Sequence, residues 1–262
     1  MVAVLLSTTV DRVLSIKSFQ FPVKDDLKYY IVCQGDTNYE KENEIKEKIK
    51  YLFPISLIIF MKEMGLSRSR NKCMEIALQE NLAEFMYIAD DDITIIYEGL
   101  KKLCKNAVDF NLDIVTGKIK TTNGNNYKKY KNYQKNINII SCAKISSVEI
   151  VLNCNFFVKN EIRFDEKFGL GSVYKCGEEY IFLTDAYKKK AKIEFFPEVI
   201  CIHPSESTGK KLLNTAKARG AVFIRVYGII GFIFIFFFVL KKKNISILLK
   251  MLAGGINYIN RK

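Results

Sequence analysis

The sequence predicts an α/β fold in which a mainly parallel sheet is covered by helices on both faces and is followed by an apolar helical tail. Three observations predict this arrangement. Short continuous apolar runs recur through the amino-terminal third, helix-like spacing of apolar residues occurs between them, and a stretch near the carboxyl end holds a single charge. Strands covered on both faces have continuous apolar sequences, and helices join them when the strands are parallel.

Four apolar runs are predicted as the strands of a nucleotide-binding half-sheet, and they cover residues 2–6, 28–33, 55–60 and 85–88. Apolar residues at helical spacing predict helices over residues 11–19 and 67–79. The order strand, helix, strand, strand, helix, strand is typical of one half of a doubly wound fold. In such folds ligands bind in the crevice beyond the carboxyl ends of the strands.

The middle of the chain is less regular. Its predicted strands cover residues 114–119, 156–158, 193–196 and 199–202, and the last two are expected at an edge of the sheet. A helix is predicted to begin with Glu178 and Glu179. Acidic residues in a first helical turn interact favourably with the helix dipole, so this pair has a structural explanation as well as a catalytic one.

Residues 121–135 are polar and rich in Asn, Lys and Tyr, which predicts a long loop over the site. The side chains of Tyr127, Tyr130 and Tyr133 suit the binding of acceptor sugars. The same composition also fits a solvated loop without a ligand.

Charge and cysteine content narrow the class of protein. The chain has 41 Lys and Arg against 28 Asp and Glu, a net charge of +13, which favours an anionic partner such as a nucleotide, a nucleic acid or a membrane leaflet. Its 7 Cys are spread singly without a C-x-x-C pair, so neither a zinc framework nor a disulfide scaffold is expected. Reduced thiols favour a cytoplasmic location for the catalytic part.

The tail is predicted to associate with a membrane. Residues 221–240 contain only one charged residue, Arg225, and Lys241, Lys242 and Lys243 follow them. About 20 apolar residues are the minimum for a spanning helix, but a central Arg is costly and glycines weaken the helix. We therefore expect a helical hairpin in the membrane interface, with a spanning helix or a soluble packed helix as alternatives. This divides the chain into a catalytic domain, residues 1–215, and a membrane-associated segment, residues 216–262.

Three consecutive carboxylates, Asp90, Asp91 and Asp92, end the strand predicted at residues 85–88. Carboxylates at the edge of an open sheet supply the oxygen ligands that hard divalent cations prefer. Acidic residues after a strand also form ordinary solvated turns. Upstream, Arg68 and Arg70 add guanidinium groups that favour a phosphorylated ligand.

Taken in order, these segments resemble bacterial family 2 glycosyltransferases of the GT-A fold, of the kind that builds capsular and other surface polysaccharides. The resemblance covers about residues 1–208. Ser69-Arg70-Asn71 matches an Ala-Arg-Asn segment of the family, and Ala89-Asp90-Asp91-Asp92 matches its Asp-x-Asp metal motif. Gly177-Glu178-Glu179 stands where the family has a Glu-Asp pair, and its second acid is Glu in place of Asp.

The resemblance implies a metal-dependent, inverting transfer of a sugar from a nucleotide donor, most often a UDP-sugar, to a lipid-linked saccharide. It implies Mn²⁺ or Mg²⁺ as cofactor, held by Asp92 with Asp90 and His203 as further ligands. Donor binding is assigned to Thr8, Thr9, Asp36, Arg68, Arg70, Asp90 and Asp91. The base is Glu179, with Glu178 as the alternative, because a carboxylate must take the proton of the acceptor hydroxyl.

Three other classes of protein are compatible with parts of the sequence. A basic nucleic-acid-binding protein would explain the net charge, but the Asp triplet would repel phosphate, so no nucleic-acid partner is expected. A nucleotidyltransferase or sugar-nucleotide pyrophosphorylase would need a Gly-rich basic loop after the first strand, and Ser7-Thr8-Thr9 is not one. A noncatalytic scaffold anchored to the membrane is the third alternative.

The expected location of the glycosyltransferase is the cytoplasmic face of the bacterial inner membrane, with peripheral or monotopic attachment.

Overall fold

A computed structural model describes residues 1–204 and 212–260. In these residues nine strands form one mixed sheet: β1 Val2–Thr9, β2 Leu27–Gln34, β3 Ser56–Met61, β4 Phe85–Asp90, β5 Thr94–Ile95, β6 Ile114–Thr121, β7 Lys135–Asn136, β8 Ile150–Asn153 and β9 Ile193–His203. The α-helices are α1 Tyr39–Leu52, α2 Leu66–Glu80, α3 Tyr97–Asp109, α4 Ile139–Cys142, α5 Cys154–Asn160, α6 Glu178–Lys188, α7 Leu212–Tyr227, α8 Gly231–Lys242 and α9 Leu248–Ile259.

The sheet has a parallel half and a mixed half. Its strand order is β3-β2-β1-β4-β8-β6-β9-β5, and β7 pairs with β9 outside this path. The first four strands in this order are parallel, as the sequence predicts for a nucleotide-binding half. Strand β8 is antiparallel to both β4 and β6, whereas β6 and β9 are parallel.

The strands of the parallel half are covered on both faces, which explains their continuous apolar sequences. Along β1, Val4 and Leu6 face one core together with residues of α1 and α3, and Ala3 and Leu5 face a second core with residues of α2 and α6. All four of these side chains are fully buried. Successive strand residues point to opposite faces, so a two-sided core requires apolar residues at every position.

The register of the parallel strands brings their carboxyl ends to one edge of the sheet. Thr9 of β1 lies beside Gln34 of β2, and Ser7 of β1 lies beside Asp90 of β4. Asp91 and Asp92 follow β4 directly. The polar ends of three strands therefore meet where a ligand crevice is expected.

Two predictions in the first half of the sheet need correction. Residues 11–19 form two short 3₁₀ turns, Val13–Ser15 and Ser18–Gln20, and no α-helix. The segment is short, and an isolated helix of that length is only marginally stable. The connection from β1 to β2 therefore has no α-helix. The prediction also missed helix α1, which connects β2 to β3, although Ile45, Ile49 and Leu52 are buried at helical spacing.

Two further corrections concern the mixed half. Residues 156–158 belong to helix α5 and are not a strand, because Phe157 is buried and stacks on Phe182 of α6. Short apolar runs do not distinguish a buried strand from a buried helix. The two predicted edge strands are the single strand β9, which lies between β6 and β5. Pro197 stands where the register of β9 against β6 is interrupted, since proline has no N–H to donate.

The tail contains an antiparallel helical hairpin. Residues 212–242 are long and apolar enough to cross a membrane by length and composition, and about a third of the most apolar window is buried. The stretch is not one straight helix, because a 3₁₀ turn at Gly228–Ile230 separates α7 from α8. Gly228 has φ +62°, a conformation that glycine adopts readily. The rings of Phe223 and Phe238 are 5.7 Å apart, whereas residues so separated in a continuous helix would be about 22 Å apart.

Helix α9 packs closely along α7. A Cβ atom on Gly220 would lie 1.9 Å from the carbonyl oxygen of Met251, and one on Gly254 would lie 1.9 Å from that of Lys217. The two backbones approach so closely that only glycine fits at the crossing. The domain boundary predicted after residue 215 falls within α7, and the connection at residues 205–211 lies outside the described residues, as do residues 261–262.

Candidate active site

A cavity of about 310 Å³ opens at the carboxyl edge of the parallel strands. Its walls come from the ends of β1, β2, β4 and β9, the start of α2, the polar loop after β6 and the turn before α6. The lining residues are Ser7, Thr8, Thr9, Arg12, Gln34, Met64, Gly65, Leu66, Asp90, Asp91, Asp92, Tyr127, Leu170, Gly171 and His203. The structure therefore brings the Asp triplet, the strand-end threonines and the single histidine to one cavity.

Asp91 is held in the wall by the first strand. Its carboxylate accepts a hydrogen bond of 2.6 Å from the hydroxyl of Thr8 and forms an ion pair with Arg12. The residue is only 8% exposed. Burial raises the pKa of Asp91 to about 6, although the Thr8 hydrogen bond and the Arg12 charge act in the opposite direction.

Asp92 has the most available oxygen of the triplet. Its Oδ1 atom is shielded from solvent and has no hydrogen-bond partner among the described residues. Two side chains lie beside this carboxylate: the Nε2 atom of His203 is 3.6 Å from Oδ1, and the guanidinium of Arg12 is 3.3 Å from Oδ2. A shielded carboxylate oxygen without a donor is the kind of atom that a hard cation would satisfy.

The residues present fit a divalent cation that also binds a phosphorylated ligand. In the described ranges, 1–204 and 212–260, no group of three His, Cys, Asp or Glu side chains is arranged to hold a metal ion. Mg²⁺ usually takes only one or two carboxylates from the protein and fills its remaining positions with water and substrate phosphates. Asp92, with His203 beside it, supplies such an incomplete set. Asp90 turns its carboxylate away, toward Arg70.

Arg70 is the centre of a buried charge cluster. Its side chain is 1% exposed, and its guanidinium lies 3.0 Å from Asp90, 3.5 Å from Glu178 and 3.6 Å from Glu179. The ring of Phe164 covers it at 5.6 Å. One arginine thus joins the acid at the end of β4 to the two acids at the start of α6, and it cannot reach a phosphate in the cavity.

The two glutamates at the start of α6 differ in their surroundings. Glu178 has a side chain 6% exposed, and its Oε2 atom has no hydrogen-bond partner within the described part of the chain. Burial raises the pKa of Glu178, and the neighbouring Glu179 charge raises it further against the effect of Arg70. Glu179 keeps a side chain that is 23% exposed. Of the two, Glu179 is therefore the more accessible to solvent, and neither glutamate is among the residues that line the cavity.

The polar loop after β6 is held in place by a buried carboxylate. Lys128 and Tyr130 both bind the buried carboxylate of Glu149, at 2.5 Å and 2.6 Å. This anchor holds Tyr127 in the cavity wall, with its ring 5.3 Å from that of His203. The predicted loop over the site is thus present, and Tyr127 is the one of its tyrosines that lines the cavity.

Three residues predicted to bind the donor lie elsewhere. Asp36 is exposed and pairs with Lys62 at 3.4 Å, outside the cavity. Arg68 is exposed and pairs with Glu166 at 3.2 Å. Arg70 is enclosed in the buried cluster. Both arginines lie in the first turns of α2, which begins at Leu66, and not on a loop facing the cavity.

Three polar side chains of the cavity lining were missed by the sequence prediction. Ser7 and Gln34 are polar residues at strand ends, and Arg12 follows β1 after a turn. A signal for the first two was present, because a polar residue that ends a buried strand marks the ligand edge of a parallel sheet. Arg12 had no such signal, since its position depends on the irregular path of residues 11–20.

Comparison with known proteins agrees with the observed fold. The profile of the family described as glycosyl transferase family 2 matches residues 5–180. No protein with a curated description matches the sequence. Similar solved structures include S. aureus TarS in complex with UDP-GlcNAc, with a TM-score of 0.61 and 16% identity over 86% of this chain and 66% of that chain. Another crystal structure of S. aureus TarS has a TM-score of 0.58 and 17% identity over 86% of this chain.

The chain belongs to glycosyl transferase family 2, since the family profile covers more than half of its residues. The predicted GT-A fold and the predicted enzyme class, a glycosyltransferase, are confirmed. The likeness to TarS is one of fold, and the chain spans 40% of the TarS chain in one structure and 66% in another.

The buried cluster predicts a large difference between two arginines of α2. Arg70→Met leaves three carboxylates near one another without their cation, and we expect it to lower the free energy of unfolding by about 3–5 kcal/mol. Arg68→Met removes an exposed ion pair from the same helix and should cost less than about 1 kcal/mol. Urea unfolding followed by circular dichroism measures both. Equal costs for the two variants would contradict the assigned role of Arg70.

Proposed function

We propose that this glycosyltransferase moves a sugar from a UDP-sugar to a saccharide carried on a membrane lipid, with inversion at the anomeric carbon. The observation that carries the proposal is the cavity at the sheet edge, where a buried Asp91 and a shielded, unpaired oxygen of Asp92 lie side by side. The complexes of TarS with UDP and with UDP-GlcNAc, which share the fold, support a donor of this class.

In this proposal the nucleotide lies across the ends of β1 and β2. Thr8, Thr9 and Gln34 present polar groups there, and the buried Asp91 is positioned to accept hydrogen bonds from ribose hydroxyls. Arg12 brings a positive charge to the wall where the diphosphate would lie. Asp36, Arg68 and Arg70 are removed from the donor-binding set because they do not line the cavity.

Asp92 and His203 would hold Mn²⁺ or Mg²⁺ together with the donor phosphates. Such an ion, when bound, would offset the negative charge that develops on the departing nucleotide diphosphate. Asp90 then serves as a partner of Arg70 and not as a metal ligand, since its Oδ1 atom already accepts a hydrogen bond from that guanidinium.

Glu179 is proposed as the base. The acceptor hydroxyl attacks the anomeric carbon on the face opposite the nucleotide, the Glu179 carboxylate takes the hydroxyl proton, and the bond to the phosphate oxygen breaks. Glu178 is less suited because its raised pKa favours the protonated form, which cannot accept a proton. Arg70 contacts both glutamates and keeps Glu179 beside Asp90 at the end of β4.

The tail supports a lipid-linked acceptor. Helices α7 and α8 contain 16 and 12 residues, about 24 and 18 Å long, so neither alone spans a hydrocarbon core of about 30 Å. The outer surface of the hairpin is strongly apolar: Ile229, Ile233, Phe236, Phe237, Leu240, Ile245 and Leu249 are each more than half exposed. Lys241, Lys242 and Lys243 border this surface. An apolar face with a basic border is typical of a segment that lies in an anionic membrane interface.

Attachment to the interface would raise the effective concentration of an acceptor that is confined to the same surface. The cationic border and the net charge of +13 favour an anionic leaflet, such as the cytoplasmic face of a bacterial inner membrane. We therefore propose monotopic attachment, with a role in the synthesis of a surface polysaccharide.

Asp92→Ala is expected to abolish donor turnover and to weaken binding of Mn²⁺ in the presence of UDP. The loss of affinity should exceed the roughly 10–100-fold effect that follows removal of an outer-shell partner. Electron paramagnetic resonance of free Mn²⁺ measures the affinity. The control Asp109→Ala removes an exposed helical carboxylate, which should leave the affinity unchanged. Unaltered Mn²⁺ affinity in Asp92→Ala would refute the metal assignment.

Glu179→Gln is expected to lower kcat for transfer by roughly 10²–10⁴-fold because proton removal is lost. The Kd for UDP should not change, since Glu179 does not line the cavity in which the nucleotide is proposed to bind. Glu178→Gln, one residue away, should lower kcat much less. Isothermal titration with UDP and a coupled assay of UDP release provide the two values, and a Glu179→Gln enzyme as fast as wild type would reject this base.

The double substitution Ile229→Glu with Phe237→Glu is expected to detach the protein from anionic vesicles. Burial of each apolar side chain contributes about 1.5–3 kcal/mol, so partitioning should fall at least about 100-fold. Removal of residues 221–262 would also remove part of α7, which packs against α6. Point substitutions therefore test attachment without disturbing that packing. Vesicle flotation measures binding, and the control Tyr51→Glu with Val108→Glu changes residues equally exposed on the catalytic domain. Equal flotation of both variants would argue against attachment through the hairpin.

A further inference from the structure

Arg225 is the only charged residue within residues 221–240, and it does not face the exposed apolar surface of the hairpin. Its Nε atom donates to Asp165 at 2.8 Å, and its two terminal nitrogens donate to Asp185 at 3.2 and 2.7 Å. The side chain is 25% exposed. A planar guanidinium bridges two carboxylates in a fixed geometry, which a lysine ammonium cannot reproduce.

The first carboxylate, Asp165, begins the cavity-wall loop, residues 165–174. Leu170 and Gly171 of this loop line the cavity. The loop is tied to the start of α2 through the Leu66 N–H, which donates to the Leu170 carbonyl at 2.8 Å. On its other side, the ring of Phe168 packs 5.7 Å from that of Tyr258 in α9. The cavity-wall loop is thus in contact with two helices of the tail, α7 and α9.

The second carboxylate, Asp185, belongs to α6, the helix that begins with Glu178 and Glu179. A Cβ atom on Gly177, just before α6, would lie 2.4 Å from Val222 of α7, so the two helices touch closely at the glutamate end. The hydroxyl groups of Tyr180 and Tyr227 lie 2.5 Å apart. Lys188, at the far end of α6, donates to the Val226 carbonyl at 2.6 Å. Helix α6 therefore contacts α7 along its length.

We propose that Arg225 is a positioning residue that couples the seating of the hairpin in a membrane to the geometry of the acceptor side of the site. Within the described part of the chain, it is the one tail residue that forms ion pairs with both the cavity-wall loop and the helix of the proposed base. When lipid fixes the apolar surface of the hairpin, helix α7 is fixed as well. Arg225 on α7 then keeps the distance between Asp165 and Asp185 constant. The inference rests on the glycosyl transfer and membrane attachment proposed above.

The coupling is tested by hydrogen exchange of the full chain with and without vesicles of phosphatidylcholine and phosphatidylglycerol. In wild type, vesicles should slow exchange in residues 165–174 and 177–182 by roughly fivefold or more. In Arg225→Lys, vesicles should bind equally well but should no longer protect these residues. The control Arg219→Lys changes an arginine of the same helix whose hydrogen bond to Thr215 and ring contact with Phe238 lie within the tail, and it should behave as wild type.

Turnover of UDP-GlcNAc provides the second measurement. Arg225→Lys should lower kcat in the presence of vesicles by roughly 10–100-fold, because small displacements of reacting groups have effects of that size. The Kd for UDP and its binding stoichiometry should stay constant, whereas simple unfolding would lower the stoichiometry and leave the Kd of the folded fraction unchanged.

The two measurements separate the possible failures. Vesicle protection that is identical in wild type and Arg225→Lys, or missing in wild type, would overturn the coupling. Where wild type turns over the donor, a kcat in Arg225→Lys equal to that of Arg219→Lys would also overturn it. Vesicle-dependent protection that is specific to Arg225, without turnover of any sugar nucleotide, would support the coupling and refute the proposed function instead.

Discussion

The buried ion cluster around Arg70 is the interaction on which the site depends. It joins the end of β4 to the start of α6. A buried arginine with several carboxylates is costly to desolvate, so replacement of the whole cluster by apolar side chains of the same volume would cost little, whereas loss of the arginine alone leaves the carboxylates uncompensated. The cluster fixes the position of the proposed base, Glu179, relative to Asp90 of the cavity wall.

The cavity has walls of two kinds. The proposed donor side is built from the ends of parallel strands, whose backbone hydrogen bonds and two-sided apolar core leave little freedom. The proposed acceptor side is built from loops that are held by side chains: the polar loop is held through Glu149, and the cavity-wall loop through Asp165. Transfer enzymes that share a donor class and differ in acceptor need this division, because variation in loops does not disturb the sheet.

In the proposed attachment, the tail joins this second wall to the membrane. Arg225, the charged residue of its apolar stretch, would be unfavourable in lipid, and the fold places it against two carboxylates of the catalytic domain. The break at Gly228 turns the chain back, and several apolar residues of α8, among them Ile233, Phe236 and Phe237, remain exposed. The proposed attachment and catalysis would therefore share one structural element, helix α7, which has one side toward α6 and another toward α8 and α9.

The sequence by itself determined the parallel half, the Asp triplet at its edge and the apolar character of the tail. These features follow from local patterns, because a strand covered on both faces must be apolar throughout and must end in polar residues at the ligand edge. Only the tertiary structure decided that Arg70 binds carboxylates and that Arg12 and Gln34 line the cavity. It likewise decided that Arg225 faces the catalytic domain. A side chain's partner depends on elements distant in sequence, and neither residue type nor spacing specifies which buried carboxylate a guanidinium will meet.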